Sequence, residues 1–307
     1  MAQLSPSLDI TAGLDSGTSA RISRTGAGLR SLHWRGVPVV PDYPGDDRPL
    51  HAGAVLFPWA GRLPDGEWKD HDHTRTLALN DELTHSALHG LVCDEEFEVV
   101  AASDCSLTLS HTLSPTSGYP YSLRLDITYD LSDEGLSVTD RVTNEGSQKA
   151  PFGLAHHPYL SVGNSAWEEI RLEAVVSHRV PTTPRLVPHR VEPLPSGLTE
   201  EMLSIAPEGL DETYALPVHP GERSWLRLIT AETTLSLWQD SGWPWLHIYG
   251  TDSLPGALGL TKAVALEPHT SLPNSLNWLE TVVSLEPGDS WQGSWGIAFR
   301  ETENTGS

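Results

Sequence analysis

Apolar and polar residues alternate along most of this chain. "SLRLDITYDL" (122–131) sets Leu123, Leu125, Ile127 and Tyr129 against Arg124, Asp126, Thr128 and Asp130. That period of two marks a strand buried on one face. "GLSVTDRVTN" (135–144) repeats the pattern after an "SDEG" turn, so the two predict a hairpin. "ARISRTGAGLRSLHW", "FEVVAASDCSLTLSHTL", "SWLRLITAETTLSLWQD", "LHIYGT" and "SWQGSWGIAFR" read the same way. No long window carries a helical stripe, and no repeat of 20–50 residues is present.

Turn signals recur between these runs, among them "RGVP", "DYPGDD", "LPDGEW", "PTSGYP" and "EPGDS". The 26 glycines and 24 prolines suit many short strands joined by tight turns. The pattern predicts an all-β fold, a large antiparallel β-sandwich, as one domain over 1–307. "VPTTPRLVPHRVEPLPSGLTEEML" (180–203) breaks the alternation and reads as a long surface excursion. The tail 302–307 is expected to lack structure.

Charge narrows the partners. With 19 Lys and Arg against 41 Asp and Glu, the net charge is -22. Such a surface repels nucleic-acid phosphates and anionic lipid, so neither is an expected partner. No run approaches the roughly 18 apolar residues of a membrane helix. The first residues lack the basic and apolar regions of a secretory signal, which predicts a cytoplasmic location. Cys93 and Cys105 fit no metal-type pair or disulfide framework and read as buried, reduced thiols. "DHDH" (70–73) offers too few ligands for a metal site and reads as a solvated loop.

Five short stretches carry candidate chemistry. In "GLAHHPYL" (153–160), neighbouring side chains on a strand point to opposite faces, so His156 and His157 cannot serve the same surface. Pro158 holds His157 extended. In "LEPHTSLPNSLN" (266–277), Glu267 emerges from an apolar strand end, where burial is expected to raise its pKa. Arg62 in "LFPWAGRLPDGEW" could fork onto hydroxyls or a carboxylate. His89–Gly90 in "THSALHGLV" would let the backbone approach a ligand, and Asp211 in "GLDETYAL" precedes a strand. Trp59, Trp243 and Trp245 are candidate rings for stacking on a ligand.

In this order, "FPWAGRLPDG", "HGL", "HPYL", "GLDETY" and "LEPHTSLPNSLN" resemble the aldose 1-epimerases, the galactose mutarotase family. The resemblance spans about residues 50–300. It implies a sugar cleft on one sheet and exchange of α and β anomers of free aldohexoses. It implies His157 as general acid and Glu267 as general base. Arg62, His89 and Asp211 match residues that hold sugar hydroxyls. It implies no metal or organic cofactor, a small-molecule sugar as partner, and a monomer or homodimer. A neighbouring Glu267 would keep His157 protonated at neutral pH. One departure stands out: the family's usual Asn before the arginine is Gly61 here. Two other readings of the same fold are a hexose-6-phosphate 1-epimerase, which needs an arginine-built anion pocket, and a non-catalytic sugar binder.

Overall fold

Strands Leu123–Ser132 and Gly135–Asn144 form the expected hairpin, in register from Leu123 opposite Asn144 to Ser132 opposite Gly135. The computed structural model describes residues 7–12, 16–45, 47–194, 201–205, 208–256, 259–278 and 280–301, so the tail 302–307 lies outside it. Regular structure among these residues is strand, apart from single 3-10 turns such as Pro49–His51 and Ser275–Asn277. None of their helices is long and apolar enough to cross a membrane.

The hairpin sits inside a nine-stranded sheet. Its order is Glu98–Ala102, Ser106–Leu113, Leu123–Ser132, Gly135–Asn144, Ser290–Glu301, Thr233–Gln239, Ser224–Ile229, Arg171–Val176 and Glu201–Ile205. An eight-stranded sheet faces it. There the order runs Glu192–Pro193, His178–Val180, Asp211–Ala215, Trp245–Gly256, Gly259–His269, Ala155–His156 and Val55–Leu56, with Tyr159–Ser161 also paired to Gly259–His269. Leu125, Ile127, Val138 and Trp295 from the first sheet share one continuous core with Leu246, Ile248, Val264 and Leu266 from the second. The chain is therefore a β-sandwich, and the eight-stranded sheet turns its other face to the cleft described below.

Three expectations change. The 180–203 stretch is not only a surface excursion: Glu192–Pro193 joins the eight-stranded sheet and Glu201–Ile205 edges the nine-stranded one, while 195–200 lies outside the described residues. Proline hid the first of these, and only the first three residues of the second fall within the stretch. Cys105 is exposed, not buried, because it lies in the turn before Ser106–Leu113. "DHDH" is the turn of a hairpin, Glu67–Asp70 with His73–Thr76, and Asp70 is buried on Arg75 and Tyr121.

Candidate active site

Strand Trp245–Gly256 sets Leu246 and Ile248 into the core, which turns Trp245, His247 and Tyr249 to the other face. Register then places Thr213 opposite His247, and His247 opposite Glu267. A row of three side-chain positions thus crosses three neighbouring strands. His247 Nε2 lies 3.1 Å from Asp211 Oδ1, and its Nδ1 lies 2.8 Å from the Thr213 hydroxyl. Glu267 Oε1 lies 3.3 Å from His157 Nε2, and its Oε2 lies 3.3 Å from His269 Nε2. Glu267 is only 2% exposed and His157 6%.

His157 is the link between strands Ala155–His156 and Tyr159–Ser161. Its backbone N–H donates to Ala54 O at 3.0 Å, and its carbonyl accepts from Gly53 N–H at 2.8 Å. This backbone clamp aims the ring at Glu267. His156 faces the opposite way, into the space between the sheets. Its Nε2 meets Asp140 of the nine-stranded sheet at 3.0 Å, and its ring packs on Trp295 and Trp243.

The other wall comes from Arg62–Pro64 and its partner strand Ser86–Leu88. Arg62 Nε donates to Asp81 Oδ2 at 2.8 Å, and Asp81 also accepts from the Thr84 hydroxyl at 2.6 Å. His89 Nδ1 accepts the Gly61 N–H at 3.3 Å, leaving Nε2 as the proton-bearing nitrogen of its neutral ring. The His51 ring stands edge-on to His89, with centroids 4.5 Å apart. A Cβ on Gly61 would sit 2.4 Å from Pro273 Cβ, so the space an Asn needs is filled. Gly90, with φ +83°, lies so close to the Phe57 carbonyl that a Cβ would come within 2.2 Å of it. Its freedom therefore serves backbone packing, not a ligand.

These walls enclose a cavity of about 480 Å3 that Arg62, His89, His157, Asp211 and Glu267 all line. That size suits a small molecule, for which roughly 300–1,000 Å3 is usual. A larger recess of about 810 Å3, lined by Arg48, Cys93 and Glu95, opens beyond His51 and His89; neither His157 nor Glu267 lines it.

Residues 9–298 match the family model described as aldose 1-epimerase. The chain belongs to that family. It is 29% identical over 279 residues to the Escherichia coli (strain K12) protein YihR, itself uncharacterised, covering 88% of this chain and 86% of YihR. The fold is that of the GalM/aldose epimerase homologue from C. elegans, with TM-score 0.80, 18% identity and coverage of 96% and 99%. Galactose 1-epimerase from Lactobacillus acidophilus NCFM superposes with TM-score 0.74, 17% identity and coverage of 94% and 93%.

In this member of the epimerase family, the electrostatics of the site differ from the sequence expectation. Burial pushes the Glu267 carboxyl up, but the His157, His247 and His269 imidazoles outweigh it and hold the group at about 2. Burial lowers His157 by more than Glu267 raises it, so its pKa lies below the ordinary histidine value. Burial also lowers His247, yet Glu267 and Asp211 together bring it above that value. His247 therefore keeps a proton to higher pH than an ordinary histidine, and His157 loses one at lower pH. The neighbouring histidines outweigh burial at Glu267, and the depth of the pocket outweighs the carboxylate at His157, which reverses both expectations.

Sequence reasoning missed His51, His247, His269, Asp81 and Thr213. The alternation of "WLHIYG" does place His247 on the face opposite Leu246 and Ile248, which is the one signal that could have found it. The aromatic expectation also changes. Trp59 and Trp243 are fully buried, and the phenol rings lining the epimerase-family cavity are Tyr159 and Tyr249.

Proposed function

We propose that this chain is an aldose 1-epimerase acting on uncharged, free aldohexoses. Glu267 is the general base and His157 the general acid; Arg62, His89 and Asp211 hold the sugar hydroxyls. The observation that carries this reading is the 3.3 Å approach of His157 Nε2 to Glu267 Oε1 in a buried cavity. Anomer exchange needs a proton removed from the C1 hydroxyl and a proton given to the ring oxygen. Those two oxygens share one carbon, so the acid and base must stand side by side.

Glu267 takes the hydroxyl proton as protonated His157 delivers its own to the ring oxygen, and the bond from C1 to that oxygen breaks. The open-chain aldehyde turns about C1–C2. Closure on the other face returns both protons, leaving the protein unchanged. Each proton transfer contributes roughly 10²–10⁴-fold.

Two features favour a neutral sugar over a phosphosugar. The Arg62 guanidinium is already paired to Asp81 at 2.8 Å. Asp211 and Glu267 add negative charge to the same cavity. A purely binding role has no use for an acid and base in contact.

Polarimetry tests the proposal. Freshly dissolved α-D-glucose and α-D-galactose are followed with and without protein. Faster decay to the same endpoint is expected; an unchanged rate with both sugars overturns the reading.

A further inference from the structure

The proline-rich segment after His178–Val180 forms a small hairpin over the cavity. Thr182 bridges Pro188, Thr183 N–H donates to Val187 O at 2.9 Å, and Leu186 N–H donates to Thr183 O at 2.8 Å. Thr182, Leu186 and Pro188 all line the cavity. At the tip, Arg185 reaches across to the opposite wall. Its Nε donates to Thr84 O at 2.8 Å, and its Nη2 donates to His85 O at 2.8 Å and to Asp65 Oδ1 at 3.1 Å. Thr84 is the residue whose hydroxyl braces Asp81, which holds Arg62. The guanidinium fork thus ties an extension of the eight-stranded sheet to the loop that positions Arg62. A planar fork carries its donors on separate nitrogens and so reaches two carbonyls and a carboxylate spread along the opposite wall, where an ammonium is a single point.

The place of this tie bears on substrate size. With C1 and the ring oxygen at His157 and Glu267, the opposite edge of a bound pyranose, C3 and C4, faces away from them. The hairpin lines the cavity with Leu186 and Pro188, which carry no side-chain hydrogen-bonding group, and with Thr182, which carries a single hydroxyl. A second sugar seated against that wall would lose water from several hydroxyls with the one Thr182 hydroxyl to replace it. We propose that Arg185 is a specificity-determining residue that pins the 182–188 hairpin across the cleft, so that the site admits a single free sugar ring and rejects the reducing end of an oligosaccharide. This rests on the mutarotase reading above.

The test compares mutarotation of glucose and galactose with that of the 4-linked disaccharides maltose and lactose, for the wild-type chain, Arg185→Ala and Arg185→Lys. The wild type is expected to favour the monosaccharides by about 100-fold or more in kcat/KM. Arg185→Ala should bring that ratio below about tenfold, raising KM for glucose with kcat within about threefold, and Arg185→Lys should fall between. A merely structural loss would depress all four sugars together and leave the ratio intact, so an unchanged ratio in a folded Arg185→Ala variant overturns the proposal. Equal wild-type rates on mono- and disaccharides overturn it too. A wild type inactive on all four sugars removes the mutarotase reading itself, and this inference with it.

Discussion

His247 stands opposite Glu267 on the neighbouring strand, with both of its ring nitrogens already engaged by Asp211 and Thr213. Both carboxylates raise its pKa, so a proton on its ring offsets their charge. Its charge also lowers His157. His247→Gln keeps hydrogen-bonding capacity and removes that charge. Glu267 and His157 should then both titrate at higher pH. Activity needs protonated His157, so kcat/KM falls as pH rises through its pKa. In His247→Gln that falling limb should move to higher pH. A pH profile of kcat/KM by polarimetry checks this, and a limb that stays in place contradicts the assignment.

Glu267→Gln and His157→Asn test the acid and base directly. Each should lower kcat by roughly 10²–10⁴-fold while sugar binding survives. Calorimetric titration with glucose separates lost chemistry from a lost site.

Buried histidines predict acid sensitivity of the fold. Burial leads the causes that hold His51 at about 4 and lower His89, His157 and His269 below 6.5. The unfolded chain takes up protons at these positions before the native one does. Stability should therefore fall as pH drops from 6.5 towards 4. Glu267, held at about 2, adds stability above its ordinary 4.5 that is lost as pH falls towards the lower value. Urea midpoints measured across that range should decline steadily with acid, more steeply than in a His51→Asn variant.

Gly61→Asn restores the family's usual residue but not its room. A side chain there meets Pro273 at 2.4 Å. The expected result is a loss of roughly 1–3 kcal/mol from overpacking, with no gain in turnover. Since Pro273 Cβ is the obstacle, Pro273→Gly in the same chain should recover part of that loss, a non-additive pair readable by thermal unfolding.

Much of this was legible in the alternation. The hairpin 123–132 with 135–144 and the opposite facing of His156 and His157 both follow from a period of two. Arg62, His89, His157, Asp211 and Glu267 came from five separate motifs and line one cavity. What periodicity does not encode is which strands become neighbours. Glu267 meets His157 from a segment 110 positions earlier, and His247 from the partner strand, so its charge environment could not be read from "VALEPH". The tryptophans misled for a related reason: a large ring that suits a sugar face suits a sandwich core equally well, and Trp59 and Trp243 went to the core.

The contact between His156 and Asp140 has a consequence for how the chain finds its alignment. Ala155–His156 is only a two-residue strand, too short to define its own pairing by hydrophobic pattern. A slip of one position would exchange the two histidines, turning His157 towards the tryptophans and His156 into the cleft. Asp140, fixed on the opposing sheet 3.0 Å from His156, rewards one alignment and leaves a buried carboxylate stranded in the other. The histidine that faces the core thus acts as a key, and its neighbour reaches Glu267 because the key fits a single lock.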